Sequence, residues 1–167
     1  MTGVERFSVR PLTVGERRLA DEVFGEALDC DPVRIWAPAL PLLDRAFVPG
    51  RLGGRSWIIW PWPGARADFA EAPLRLQGTF VHELVHVWQA QRGVLLPLAK
   101  LKAGDAPKAY RYRLDGPGGF AALNIEQQAM AVEHDFLRRR GDEAPFAAEL
   151  YEAVLPFRRT APPERRA

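Results

Sequence analysis

Cysteine and histidine are scarce in this chain: Cys30 stands alone, and only three histidines occur in 167 residues. A lone cysteine excludes an intramolecular disulfide and leaves the redox compartment open. No run of about 18 apolar residues exists, which excludes a membrane-spanning helix. The segment from Met1 to Leu12 holds no apolar stretch resembling a signal-peptide core. The expected location is therefore the cytoplasm, with export by a route needing no cleaved signal left open. Charge of one sign is also lacking, since the formal net charge is +2. The short clusters Arg138-Arg139-Arg140 and Arg158-Arg159 fall near predicted helix ends, where cations complement the helix dipole. A nucleic-acid partner would call for a broad basic face instead. Neither nucleic acid nor membrane is an expected partner.

What is present reads as an ordinary globule. The hydrophobic share of 47% and charged share of 26% suit one domain, residues 1–167, long enough to bury a core. Thr13 followed by Glu16 predicts a capping box opening a helix that runs to about Asp29. Val33-Arg34-Ile35-Trp36 and Ser56-Trp57-Ile58-Ile59-Trp60 read as short strands, being rich in β-branched and aromatic residues, with a turn over 51–55 between prolines and the Gly53-Gly54 pair. A long apolar helix is predicted from about Pro73 to Gly93, with Gly78 marking either close packing or a later start at Thr79. Residues 94–119 read as irregular, with Tyr110-Arg111-Tyr112-Arg113-Leu114 alternating like a strand or an extended segment. A second strong helix is predicted over about 120–140, and a last one over about 144–155, before a Pro- and Arg-rich tail. The expected fold is α+β, mainly helical, with a short β-sheet preceding the long apolar helix. Residues 1–72 form an N-terminal helix plus strands, 73–140 the chemical core, and 141–167 a C-terminal helix and tail.

Two of the three histidines fall in His82-Glu83-Leu84-Val85-His86. On a helix, positions i and i+4 lie one above the other, so both imidazoles can reach one metal ion. Glu83 beside them can take a proton from a metal-activated water. Phe80, Val81, Leu84, Val85, Val87 and Trp88 make this helix buried, and buried imidazoles need partners. The pattern predicts a zinc site. A catalytic zinc has three protein ligands and an open position. Glu126 is the favoured third ligand: it borders the apolar stripe Ile125, Ala129, Val132 and Phe136, so it can point inward, and Ala129 lets two helices approach. His134 and Cys30 are the other candidates. Glu133, seven residues after Glu126, can accept a hydrogen bond from a ligating histidine.

The strings Val81-His82-Glu83-Leu84-Val85-His86-Val87-Trp88-Gln89 and Glu126-Gln127-Gln128-Ala129 resemble the gluzincin zinc metallopeptidases. More specifically, they are similar to the small bacterial metallopeptidase-like core domain of contractile injection systems and to Vgr/Rhs-related proteins. The likeness covers about 75–137 and implies a small zincin-like domain, Zn²⁺ held by His82, His86 and Glu126, and Glu83 as general base. One departure is visible: the thermolysin-type pattern has Asp four residues after the ligand glutamate, where this chain has Met130. The implied activity is hydrolysis of a peptide bond in a peptide or protein substrate. Tyr110 and Tyr112 are candidates to stabilise the oxyanion, with Tyr151 behind them. Trp57 to Trp60 is either an edge for pairing with an extended substrate or a segment whose aromatics fill the core. The alternative implied by the resemblance is a non-catalytic zinc-binding accessory protein that docks on a secretion-system component.

Overall fold

The computed structural model describes residues 4–104 and 106–157. Its first strand, β1 (Ser8–Arg10), leads into helix α1 (Val14–Phe24) through the predicted cap. The Thr13 hydroxyl accepts from the Glu16 amide at 3.0 Å, and Glu16 Oε2 accepts from the Thr13 amide at 2.9 Å. Glu16 does more than cap. It is fully buried, accepts two 2.7 Å hydrogen bonds from the Arg10 guanidinium, and receives the Phe69 amide at 2.9 Å. Phe69 in turn stacks on Phe80, with ring centroids 4.9 Å apart. One carboxylate thus joins β1, α1 and the turn that delivers the central helix. Glu16→Ala leaves the Arg10 charge and the Phe69 amide without their acceptor. It should cost about 2–4 kcal/mol, read as a lowered urea midpoint at unchanged slope.

Strands β2 (Val33–Ala37), β3 (Phe47–Leu52) and β4 (Arg55–Ile59) complete one four-stranded sheet in the order β1-β2-β4-β3. The β2–β4 pair is parallel and the other two are antiparallel. Val33, Ile35, Ala37, Ser56 and Ile58 turn one face towards the helices, while Arg34, Trp36 and Trp57 stand half-exposed on the other, the two-residue alternation of a strand. This order corrects the edge assignment. Trp57–Trp60 cannot add a substrate strand, because β4 is flanked by β2 and β3 on its two sides. The edge beside the helices is β3. Pro49 and Gly50 make β3 illegible by propensity, yet an edge position tolerates a proline, and a register shift between Phe47 and Gly50 absorbs the irregularity.

Helix α2 (Leu74–Gln91) is the hub, with Pro73 as its N-cap and Phe80, Val81, Leu84, Val85 and Val87 wholly buried. It packs against α4 (Ile125–Arg138). Gly78 belongs to that contact: a Cβ there would lie 2.9 Å from Leu137 Cδ2, so the glycine marks close packing and the helix does begin before Thr79. The 94–119 stretch holds a helix the sequence hid, α3 (Leu96–Ala103), with Pro97 in its first turn where its missing amide is harmless. Residues 110–114 are not a strand. Helix α4 begins at Ile125 rather than near 120, because Asn124 caps it and residues 119–122 form a separate 3₁₀ turn. The last helix, α5 (Ala148–Val154), is shorter than expected. Arg158-Arg159 and the tail lie outside the described residues. Five helices and a four-stranded sheet among the described residues make this a small α+β domain.

Candidate metal centre

One helical turn separates His82 from His86 on α2, and their ring centroids sit 5.0 Å apart. Glu126 enters from the first turn of α4. A second capping box holds it there: Asn124 Oδ1 accepts from the Gln127 amide at 2.8 Å, and Gln127 Oε1 accepts from the Asn124 amide at 3.0 Å. Glu126 Oε2 lies 3.3 Å from His82 Nε2 and 3.3 Å from His86 Nε2. A tetrahedral zinc shell with bonds of about 2.0–2.1 Å has ligand-to-ligand edges of about 3.3 Å. The two edges from Glu126 match that spacing, and all three donor atoms lie within 4.8 Å of one another, close enough to share one ion.

The outward nitrogens are held as ligating imidazoles require. His82 Nδ1 is 3.0 Å from Glu133 Oε2, and His86 Nδ1 is 2.8 Å from Gln89 Oε1. Gln89 cannot flip, since its amide donates to Ile125 O at 3.0 Å and to Gln128 Oε1 at 2.8 Å. Each Nδ1–H thus faces an acceptor, and each Nε2 is turned to the shared point. Two atoms are left over. His86 Nε2 and Glu83 Oε2 are buried without a hydrogen bond. Buried polar atoms without partners are uncommon; Trp88 Nε1 and Arg138 Nε are others, but these two belong to the motif. A divalent cation would satisfy the first and a water beside it the second, so the residues fit the group.

The charges respond to this crowding. Burial disfavours the charged form of His82, but Glu126 and Glu133 outweigh it and raise its pKa to about 9. Burial opposes ionisation of Glu126 too, yet His82, His86 and Lys100 hold its carboxyl well below the usual range. Lys100 Nζ, from α3, sits 3.6 Å from Glu126 Oε1, the oxygen turned away from the histidines.

These side chains line a cleft of about 590 Å³ together with residues 43–47, Lys100 and Tyr110. Tyr110 is placed there because Asn124 Nδ2 donates to Ala109 O at 3.1 Å and Gln127 Nε2 donates to Arg111 O, tying the loop to the α4 terminus. Tyr112 points elsewhere and is not part of the cleft. Its hydroxyl contacts His134 Nδ1 at 2.7 Å and Tyr151 OH at 2.9 Å, so Tyr112, Tyr151 and His134 form a polar knot behind α4. Burial, then the Tyr151 hydroxyl, pushes the Tyr112 pKa upward, and burial lowers that of His134. Cys30 is half-buried against the core and does not line the cleft, and its thiol is pushed up by burial. Lys100, Gln89 and Arg45 were missed from sequence. Gln89 alone left a readable signal, its i+3 spacing from His86 on one helix face.

No family model matches the chain. It is 34% identical over 161 residues to the type VI secretion system spike protein VgrG2b of Pseudomonas aeruginosa strain PAO1. That alignment takes in 87% of this chain, which spans about 15% of the length of the spike protein. The solved effector domain of Pseudomonas aeruginosa VgrG2b is similar to it at a TM-score of 0.67 and 30% identity, covering 92% of this chain and 85% of that one. By this likeness along nearly the whole of both chains, the protein belongs to the family of VgrG2b effector domains.

Proposed function

We propose that the chain is a zinc-dependent peptidase of the gluzincin type, acting as an effector associated with a type VI secretion spike. His82, His86 and Glu126 would hold the ion, and Glu83 is the general base. The observation that carries the reading is the pairing of three converging donor atoms with the buried Glu83, whose Oε2 has no hydrogen-bond partner, on the same turn of α2. A structural zinc site has no use for that carboxylate.

When bound, zinc would lower the pKa of a water in its open position and polarise the scissile carbonyl. The chain's own residues do the rest. Glu83, lining the cleft with Oε2 unpaired, accepts the proton of the attacking water and returns it to the leaving amine. Tyr110 and Lys100, which line the same cleft, are the groups we assign to the oxyanion. Glu133 and Gln89 keep each imidazole in the Nδ1–H tautomer, so both Nε2 lone pairs stay available. The direct test is metal content by elemental mass spectrometry with peptide cleavage on the same sample. One zinc per chain is expected, with cleavage lost on chelation and restored by zinc; a metal-free, inactive wild type would reject the reading.

A pH dependence follows from His82. Its folded pKa lies above the ordinary value of 6.5, so its contribution to the stability of the metal-free fold is complete below pH 6.5 and fades as pH rises through about 9. Zinc requires the neutral ring, so between those limits uptake must expel a proton. Calorimetric titration at pH 7 in buffers of different ionisation enthalpy should show at least about one proton released per zinc, the His82 share fading above pH 9. A buffer-independent heat at pH 7 would mean that His82 carries no proton for zinc to displace.

A further inference from the structure

The cleft does not end at the histidines. Past Thr79, one turn before His82 on α2, it opens into a second hollow of about 390 Å³ that shares residues 43–46 and Thr79 with it. Trp60, Pro61, Pro63, Leu76, Leu43 and Ala46 line this hollow, with Asp44 and Arg45 as its charged members. Its lining is thus largely apolar, in contrast to the titratable groups next door. The partition between the two spaces is the chain segment 44–46, and Asp44, Arg45 and Ala46 make no main-chain hydrogen bond among the described residues. That segment runs directly into β3, the edge strand. Free amides and carbonyls leading into a sheet edge are what an extended peptide pairs with.

We infer that the hollow beside Trp60 is a subsite for a large apolar side chain of an extended peptide, seated next to the bond presented to His82 and His86. The inference rests on the peptidase reading and adds a substrate preference to it. Spacing sets the position. Thr79 and His82 are about 4.5 Å apart along the helix axis, and an extended peptide advances about 3.3 Å per residue. The side chain in the hollow therefore belongs to a residue one or two positions from the scissile bond. Leucine, methionine or phenylalanine fits the volume and the lining; aspartate and glycine gain nothing from either.

The test separates binding from turnover. Glu83→Gln protein, loaded with zinc, is titrated into fluorescein-labelled Gly/Ser peptides in which one Phe, Leu or Asp is moved through successive central positions, and anisotropy is read. At one position Phe or Leu should bind about 10-fold or more tighter than Gly or Asp. Adding Leu76→Trp, at a position that lines the hollow and not the metal cleft, should erase that gain while leaving the all-Gly/Ser peptide within about twofold. Leu76→Gln should weaken the same position and no other. A flat profile on zinc-loaded protein, or a Leu76→Trp variant that keeps the preference, overturns the inference. Failure of the preparation to hold zinc would instead overturn the peptidase reading on which it stands.

Discussion

Glu83→Gln should leave the zinc content of the protein unchanged and lower peptide hydrolysis by about 10²–10⁴-fold, the range that a positioned general base supplies. The change replaces one oxygen by an NH₂ group of the same shape, so packing against Leu84 and the rest of α2 is preserved. Glu83 is not among the three converging donors, so the ion has no reason to leave. What is lost is the ability of a buried, unpartnered oxygen to take a proton. The measurement is kcat on a cleavable peptide with zinc quantified in the same sample. Loss of zinc together with activity would make Glu83 a ligand. Full activity with zinc retained would remove the general base and leave the alternative of a zinc-binding accessory protein in first place.

Why that residue could be read from sequence, and others could not, comes down to range. His82, Glu83 and His86 lie within two turns of one helix, where spacing alone decides which side chains share a face. Glu126 needed only one further step, because the stripe Ile125, Ala129, Val132 and Phe136 states which side of α4 is buried, and all four are at most 8% exposed. The sheet was half legible for the same reason: β2 and β4 carry aromatic and β-branched runs, whereas β1 is three residues long and β3 contains Pro49-Gly50. Strand order is a long-range fact, and it moved the candidate substrate edge from β4 to β3. The tyrosines show the limit most plainly. Tyr110 and Tyr112 are two residues apart on an irregular segment with no period to assign faces. Only the tie from α4 to Ala109 and Arg111 turns one into the cleft, while Tyr112 turns to His134. Lys100 stayed hidden because α3 has no amphipathic stripe and carries a proline in its first turn.

Glu126→Ala should abolish zinc retention through purification while the fold survives. The carboxylate is one of three donors, and its loss removes a full ligand, so the fall in affinity should exceed the about 10–100-fold typical of an outer-shell partner such as Glu133. Survival of the fold follows from where the helix is held: Asn124, Gln127, Ile125 and Ala129 anchor the start of α4 independently of Glu126. The variant also removes an acceptor from His82, so its imidazole should titrate lower than in the parent, readable by NMR on the metal-free protein. The two outcomes discriminate sharply because His82, His86 and Glu126 form the one three-donor cluster among the described residues. His134 Nδ1 is occupied by Tyr112, Cys30 stands away from the cleft, and Glu133 faces the wrong nitrogen of His82. Undiminished zinc in Glu126→Ala would therefore mean that the ion does not sit between α2 and α4 at all, and the peptidase reading would lose its geometry along with its third ligand.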